Sequence, residues 1–250
     1  MQSGLYGEPG GFTGNIQENG TSGSVYGVKS VINTNLSTFR PCTLTVQEEE
    51  QLAGSTSAWI AVVPAAGNPE MGNGDAVLQL GVVHCNYAGL PDLCDPGVPG
   101  VGTPSYFWAF GGCGTAPDGI WIGDTDDNQH TYEIRHFSSP QSGYSMYFDG
   151  VYTQKTIYVS DWHVSCWLGS RHGAMYQTET WDAGDGIANP DGKVIFSTIG
   201  WRITDSGAWQ APTWSGTAPC DTDDVTIYLN LKCDISNLNN TQFYAWSTLN

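Results

Sequence analysis

The sequence predicts an all-β fold: an antiparallel β-sandwich built of two sheets. Three observations predict it. Short apolar runs recur between turns rich in Gly, Pro and Asp. No segment sustains a 3.6-residue apolar period long enough for a core helix. Of the 250 residues only 13% are charged, while Gly numbers 32, Trp 10 and Tyr 12. Helices with exposed faces need Lys, Glu and Arg there, and this chain has eight Lys and Arg in all.

The elements follow in order. Residues 1–23 are polar and Gly-rich and are expected to be flexible unless tied down. Residues 24–250 then read as one domain, with no repeat, linker or low-complexity block to divide them. The strand candidates are SVYGVKSVI, CTLTVQ, SAWIAVVP, AVLQLGVVHC, SYFWAFGG and HTYEIRHF. YSMYFDGVYTQKTIYVS reads as a hairpin turning at Asp149-Gly150. WHVSCWLG, AMYQTETW, KVIFSTIGWRI and DDVTIYLNLKC complete the set. In the last, Val225, Ile227, Leu229 and Leu231 share one face and polar residues the other, the mark of a strand wet on one side. Residues 44–53 are compatible with a short helix.

Charge and cysteines bound the function. A net charge of −17 repels nucleic acid and anionic membranes, so neither is an expected partner. In acid the carboxylates neutralise and few bases remain to repel one another, which suits an acidic working environment. No apolar stretch is long enough to span a bilayer. Seven cysteines and three N-x-S/T sequons, at Asn19, Asn35 and Asn239, point to an exported chain. The odd count leaves at least one thiol free or paired elsewhere, and spacing does not fix connectivity. Met1 leads straight into the Gly-rich segment, so any secretory leader is expected to have been removed.

Standard catalytic signatures are absent: there is no H-E-x-x-H, no G-x-S-x-G and no P-loop. His84, His130, His136, His163 and His172 form no ligand-spaced pair on one strand and read as surface or structural residues. No metal or other cofactor is expected. Calcium is the one candidate, at Asp124, Asp126, Asp127 and Asn128 or at Asp182, Asp185, Asn189 and Asp191. Neither loop has EF-hand spacing, and turn chemistry explains the same residues.

Two polar residues stand out on apolar strands. Gln79 shares strand parity with Val77, Gly81 and Val83, and the missing side chain of Gly81 leaves space beside its amide. A core Gln bonded to backbone is the alternative. Glu179 shares parity with Met175, Gln177 and Trp181; an indole beside a carboxyl raises its pKa and suits general acid–base work. An exposed Glu on a wet face is the alternative there.

These segments resemble the glutamic peptidases, or eqolisins. SAWIAV is similar to the family's A-W-V-G-I strand, AVLQLG to its I-L-Q-T-G strand and YFWAFGG to its aromatic strand. IWIGDTDD resembles the I-x-x-G-D turn, YSMYFDGV falls on the hairpin that follows, and AMYQTE is similar to A-E-x-I-x-E, with VIFSTIGW on the next strand. The resemblance covers about residues 24–205 and departs at three acidic positions: Met175 and Val63 stand at two of them, and Ala109, Phe110 or Gly111 at the third, in the aromatic strand. It implies a concanavalin-like jelly roll and a secreted, acid-acting endopeptidase working without metal. It places Gln79 as oxyanion donor and Glu179 as the base that activates water, with Trp59, Trp108 and Trp181 lining a cleft for polypeptide; core packing is the alternative for Trp59 and Trp108. The rival expectations are a non-catalytic sandwich that binds carbohydrate through exposed aromatics, and a self-associating cell-surface or assembly subunit.

Overall fold

The computed structural model describes residues 12–18, 25–33, 55–64, 77–85, 105–111, 118–124, 126, 128–158, 172–180, 194–211, 231–234 and 242–247. The strands are β1 (Phe12–Glu18), β2 (Gly27–Asn33), β3 (Ser55–Pro64), β4 (Val77–Cys85), β5 (Ser105–Gly111), β6 (Asp118–Asp124) and β7 (His130–Phe137). They continue with β8 (Gly143–Phe148), β9 (Val151–Tyr158), β10 (His172–Thr180), β11 (Val194–Arg202), β12 (Leu231–Asp234) and β13 (Phe243–Ser247). No helix occurs among the described residues. The candidates CTLTVQ and WHVSCWLG, the short helix at 44–53, the alternating run 225–230 and all three sequons lie outside them.

Two antiparallel sheets form a jelly-roll sandwich. One has six strands in the order β1-β10-β3-β4-β5-β6, and the other has seven in the order β12-β13-β11-β2-β7-β8-β9. Part of the N-terminal Gly-rich segment is tied down as β1, which pairs with β10 over Phe12–Glu18.

Strand alternation decides what lies between the sheets. From the six-stranded sheet, Ala58, Ile60, Val62, Leu78, Leu80 and Val82 face inward; Val28, Ile32, Tyr132, Ile134 and Met146 meet them from the other sheet, all at most 1% exposed. Each such Val, Leu or Ile contributes about 1.5–3 kcal/mol on full burial. The Tyr176 hydroxyl crosses the sandwich to donate to the Gly200 carbonyl at 2.9 Å, and Tyr144 donates to the Val25 carbonyl at 2.9 Å. Burial pushes both phenols well above their ordinary pKa, so they stay neutral donors.

The expected hairpin is present. Asp149 (φ 49°) and Gly150 (φ 77°) join β8 to β9, and positive φ at both central residues is what a tight two-residue turn demands. β9 is the outer strand of its sheet, and its pairing with β8 slips between Ser145 and Tyr147.

Candidate functional site on the six-stranded sheet

Gln79 belongs to the face turned away from the seven-stranded sheet. Its neighbours in sequence, Leu78 and Leu80, enter the shared core, so alternation sends Gln79 the other way. A second apolar cluster covers that outer face: Trp59, Ala61, Val83, Phe107 and Ala109, with Met175 packed against them. Gln79 sits among them 6% exposed, whereas Leu78 and Leu80 are at 0%.

The pairing registers lay this face out in rows. Met175, Ala61, Gln79 and Ala109 stand in one row. Gln177, Trp59, Gly81 and Phe107 form the next, and Glu179, Ser57, Val83 and Ser105 the one after. There is no room for a side chain at Gly81: a Cβ there would lie 2.2 Å from the Ala58 carbonyl oxygen and 2.5 Å from the Trp59 Cβ. The gap foreseen beside Gln79 is therefore filled by the Trp59 backbone and Cβ.

Gln79 and Glu179 thus register to one face of one sheet, but not side by side. β3 lies between their strands, and Gln79 pairs with Ala61 while Glu179 pairs with Ser57, four residues away. At strand dimensions this is about 13 Å along the strands and about 10 Å across them, or about 16 Å between backbones. One shared water needs hydrogen bonds of about 2.7–3.2 Å to each group. The register thus sets the two positions in different rows of the face. The residue level with Gln79 on β10 is Met175.

The three tryptophans separate. Trp59 shares the row of Gly81 and is 1% exposed on the outer face. Trp108 pairs with Leu80, so it faces the opposite way, into the core between the sheets, where the Lys155 ammonium sits 3.9 Å from its ring centroid. It does not line a cleft at Gln79. Trp181 lies outside the described residues.

Two polar residues of this face were not among the site residues expected from the sequence. Gln177 is half-buried in the Trp59 row. Ser57 is 3% exposed, and its Oγ has no hydrogen-bond partner among the described residues. Their parity with Trp59 and Glu179 was the available signal.

In the first calcium candidate, Asp126 and Asn128 take part in turn chemistry. Asp126 accepts from the Asn128 amide at 2.9 Å and from the Asn128 side chain at 2.8 Å, and meets His130 Nε2 at 2.8 Å. The Asn128 hydrogen bonds, with help from His130, bring the Asp126 carboxyl down to about 2. Among the described residues no group of three or more His, Cys, Asp or Glu is arranged to hold a metal. Asp127 and the second calcium candidate, residues 182–191, lie outside them.

No protein-family model and no curated protein matches the sequence. Among solved structures, the chain is similar to scytalido-glutamic peptidase bound to a peptide-based transition-state analogue: 14% identity, 94% of this chain and 97% of that one covered, TM-score 0.47. It is similar to SCP-B, an eqolisin in complex with the tripeptide Ala-Ile-His, at 15% identity, with 94% and 97% covered and TM-score 0.46. It is also similar to the catalytic domain of an endo-1,3-β-glucanase from Thermotoga petrophila, at 9% identity, with 96% and 77% covered and TM-score 0.38.

Proposed function

We propose that the outer face of the six-stranded sheet engages extended polypeptide, with Gln79 as its hydrogen-bonding anchor, and that the protein does not cleave what it binds there. The resemblance to glutamic peptidases supports the ligand class. The observation that carries the rest is the row Met175–Ala61–Gln79. Positions 175 and 79 stand about 10 Å apart across β3. That is a span an amide, one water and a carboxylate fill, with hydrogen bonds of about 2.7–3.2 Å. A thioether occupies the place where the carboxylate would have to be, and it cannot take a proton from water.

The second reading is an acid-acting endopeptidase in which Gln79 steadies the oxyanion and Glu179 moves the proton. Their common face favours it; their separation opposes it.

Labelled, unfolded casein peptides incubated from pH 2 to 7 test both. The expected result is peptide binding weakened by Gln79→Ala, with no cleavage by the wild type. Met175→Glu is expected to create acid-dependent cleavage that Gln79→Ala removes again. Wild-type cleavage in acid, lost in both Gln79→Ala and Glu179→Gln, would instate the endopeptidase. Binding on a glycan array with none to peptides would transfer the face to carbohydrate.

A further inference from the structure

At one end of the seven-stranded sheet, three side chains from separate segments form a hydrogen-bonded chain. His136, near the end of β7, directs Nδ1 to Asp205 Oδ1, in the turn after β11. Its Nε2 lies 2.8 Å from the Oγ of Ser142, just before β8. The other Asp205 oxygen accepts from the Ser138 hydroxyl at 2.5 Å.

The chemistry of the partners fixes the direction of each bond. An ionised carboxylate only accepts, so Nδ1 carries the hydrogen. A neutral ring then has its lone pair on Nε2, and Ser142 must donate to it. Asp205 is held below the ordinary carboxylate range: burial pushes it up, but the hydrogen bonds from Ser138 and His136, with the charges of His136 and Arg202, outweigh that. The ring itself is held edge-on by Tyr26 (centroids 4.6 Å apart) and Tyr144 (4.9 Å). The His136 amide also donates to the Tyr26 carbonyl at 2.9 Å, locking the backbone beneath the ring. The His136 side chain is 10% exposed and that of Asp205 34%, while Ser142 is half-buried at the rim. The base is thus shielded, while the serine is not sealed in the core.

We propose that Ser142, His136 and Asp205 form an activated-serine site, separate from the outer face of the six-stranded sheet, that is acylated by small carboxylic esters. In the acylation step Ser142 Oγ bonds to the ester carbonyl carbon while its proton moves to His136 Nε2. The ester C–O bond then breaks, and the leaving alkoxide takes that proton. Water repeats the traffic on the acyl-serine and restores the hydroxyl. Asp205 holds the ring in the one tautomer that can accept, and stabilises the imidazolium that forms. This arrangement is recognised by geometry and roles rather than by sequence order.

The test uses the full chain, an alkyl fluorophosphonate probe at pH 8, and intact-mass and peptide-mapping readouts. One adduct per chain, on Ser142, is expected. It should vanish in Ser142→Ala and persist in Ser145→Ala, a serine three residues further on that bonds to Thr156 instead. His136→Gln should slow labelling by roughly 10²–10⁴-fold, the usual contribution of a positioned base. Near-UV circular dichroism confirms that each variant is folded, and Ser142→Ala decides the matter if His136→Gln unfolds. No adduct on folded wild type, an adduct elsewhere, or labelling unchanged in Ser142→Ala overturns the site. Acid cleavage of casein at Gln79 has no bearing on any of these readouts.

Discussion

Gln79 and Trp108 show how far single side chains can be read from a sequence. The oddity of an amide in AVLQLGVVHC was legible, and so was its parity with Gly81, because alternation along one strand is local. The relation of Trp108 to Gln79 was not. It depends on the β4–β5 register, which pairs Leu80 with Trp108 and so turns that indole away from the amide. Shifting a register by one residue exchanges the two faces, and no signal inside either strand sets it. The same limit hid Met175 behind Glu179. A carboxyl four residues further along β10 looks equally close in a sequence, whereas the row containing Gln79 contains the thioether. Gly81 offers a direct check on this packing. A methyl there meets the Ala58 carbonyl and the Trp59 Cβ at 2.2 and 2.5 Å, so backbone has to move. Gly81→Ala is expected to cost about 1–3 kcal/mol in urea unfolding, as overpacking does.

The β8–β9 hairpin was legible because an Asp-Gly pair carries its own conformational preference. The structure adds a clasp beneath it. His130 binds Asp149 Oδ2 through Nδ1 at 2.6 Å and Asp126 through Nε2 at 2.8 Å, while the Thr131 amide donates to Asp149 Oδ1 at 2.7 Å. Burial alone would lower the His130 pKa, but hydrogen bonds to Asp149 and Asp126, then their charges, raise it above 6.5. A raised histidine stabilises fully below its unfolded pKa, and the contribution fades as pH rises through the folded value. Asp126 works in the opposite sense: its contribution is present above 3.8 and is lost as pH falls through about 2. The clasp is therefore complete in mildly acidic solution. Thermal unfolding of wild type and His130→Gln across pH 3 to 9 should show the largest difference in Tm near pH 4–6 and a shrinking one above neutrality. A difference that grows towards pH 9 would contradict the assignment. Gly150→Ala isolates the turn itself. Nothing lies within 4 Å of its added Cβ, so the φ of +77° alone sets the penalty, about 1–2 kcal/mol in chemical unfolding.

The two-sheet sandwich followed from the spacing of apolar runs and turns, and the structure has it. The order of strands within the sheets was out of reach. β1 joins β10, and β11 joins β2, across most of the chain, and such pairings are settled by packing rather than by local preference. Charge acts on the assembled protein too. With a net charge of −17 at pH 7 and an isoelectric point near 4.2, molecules repel one another at neutrality and lose that protection in acid. Light scattering at increasing concentration should report a monomer at pH 7 and association close to pH 4.2, reversed by returning to neutral pH. Association at pH 7 that persists in high salt would instead favour an assembly subunit.

One consequence lies at the rim of the seven-stranded sheet. Among the described residues β9 has no neighbouring strand on one side of its backbone, and it exposes Val151, Tyr152 and Tyr158. Such a margin invites a second molecule to add on, and from there a growing fibril. Two devices work against that. The slip between Ser145 and Tyr147 and the left-handed Gln154 (φ 62°) bend the margin out of line. Lys155 points its charge inward onto Trp108, so a strand docking flat would have to bury an ammonium. An apolar residue at 155 would keep the sandwich and remove the guard, and fibres seeded from β9 are the outcome to look for.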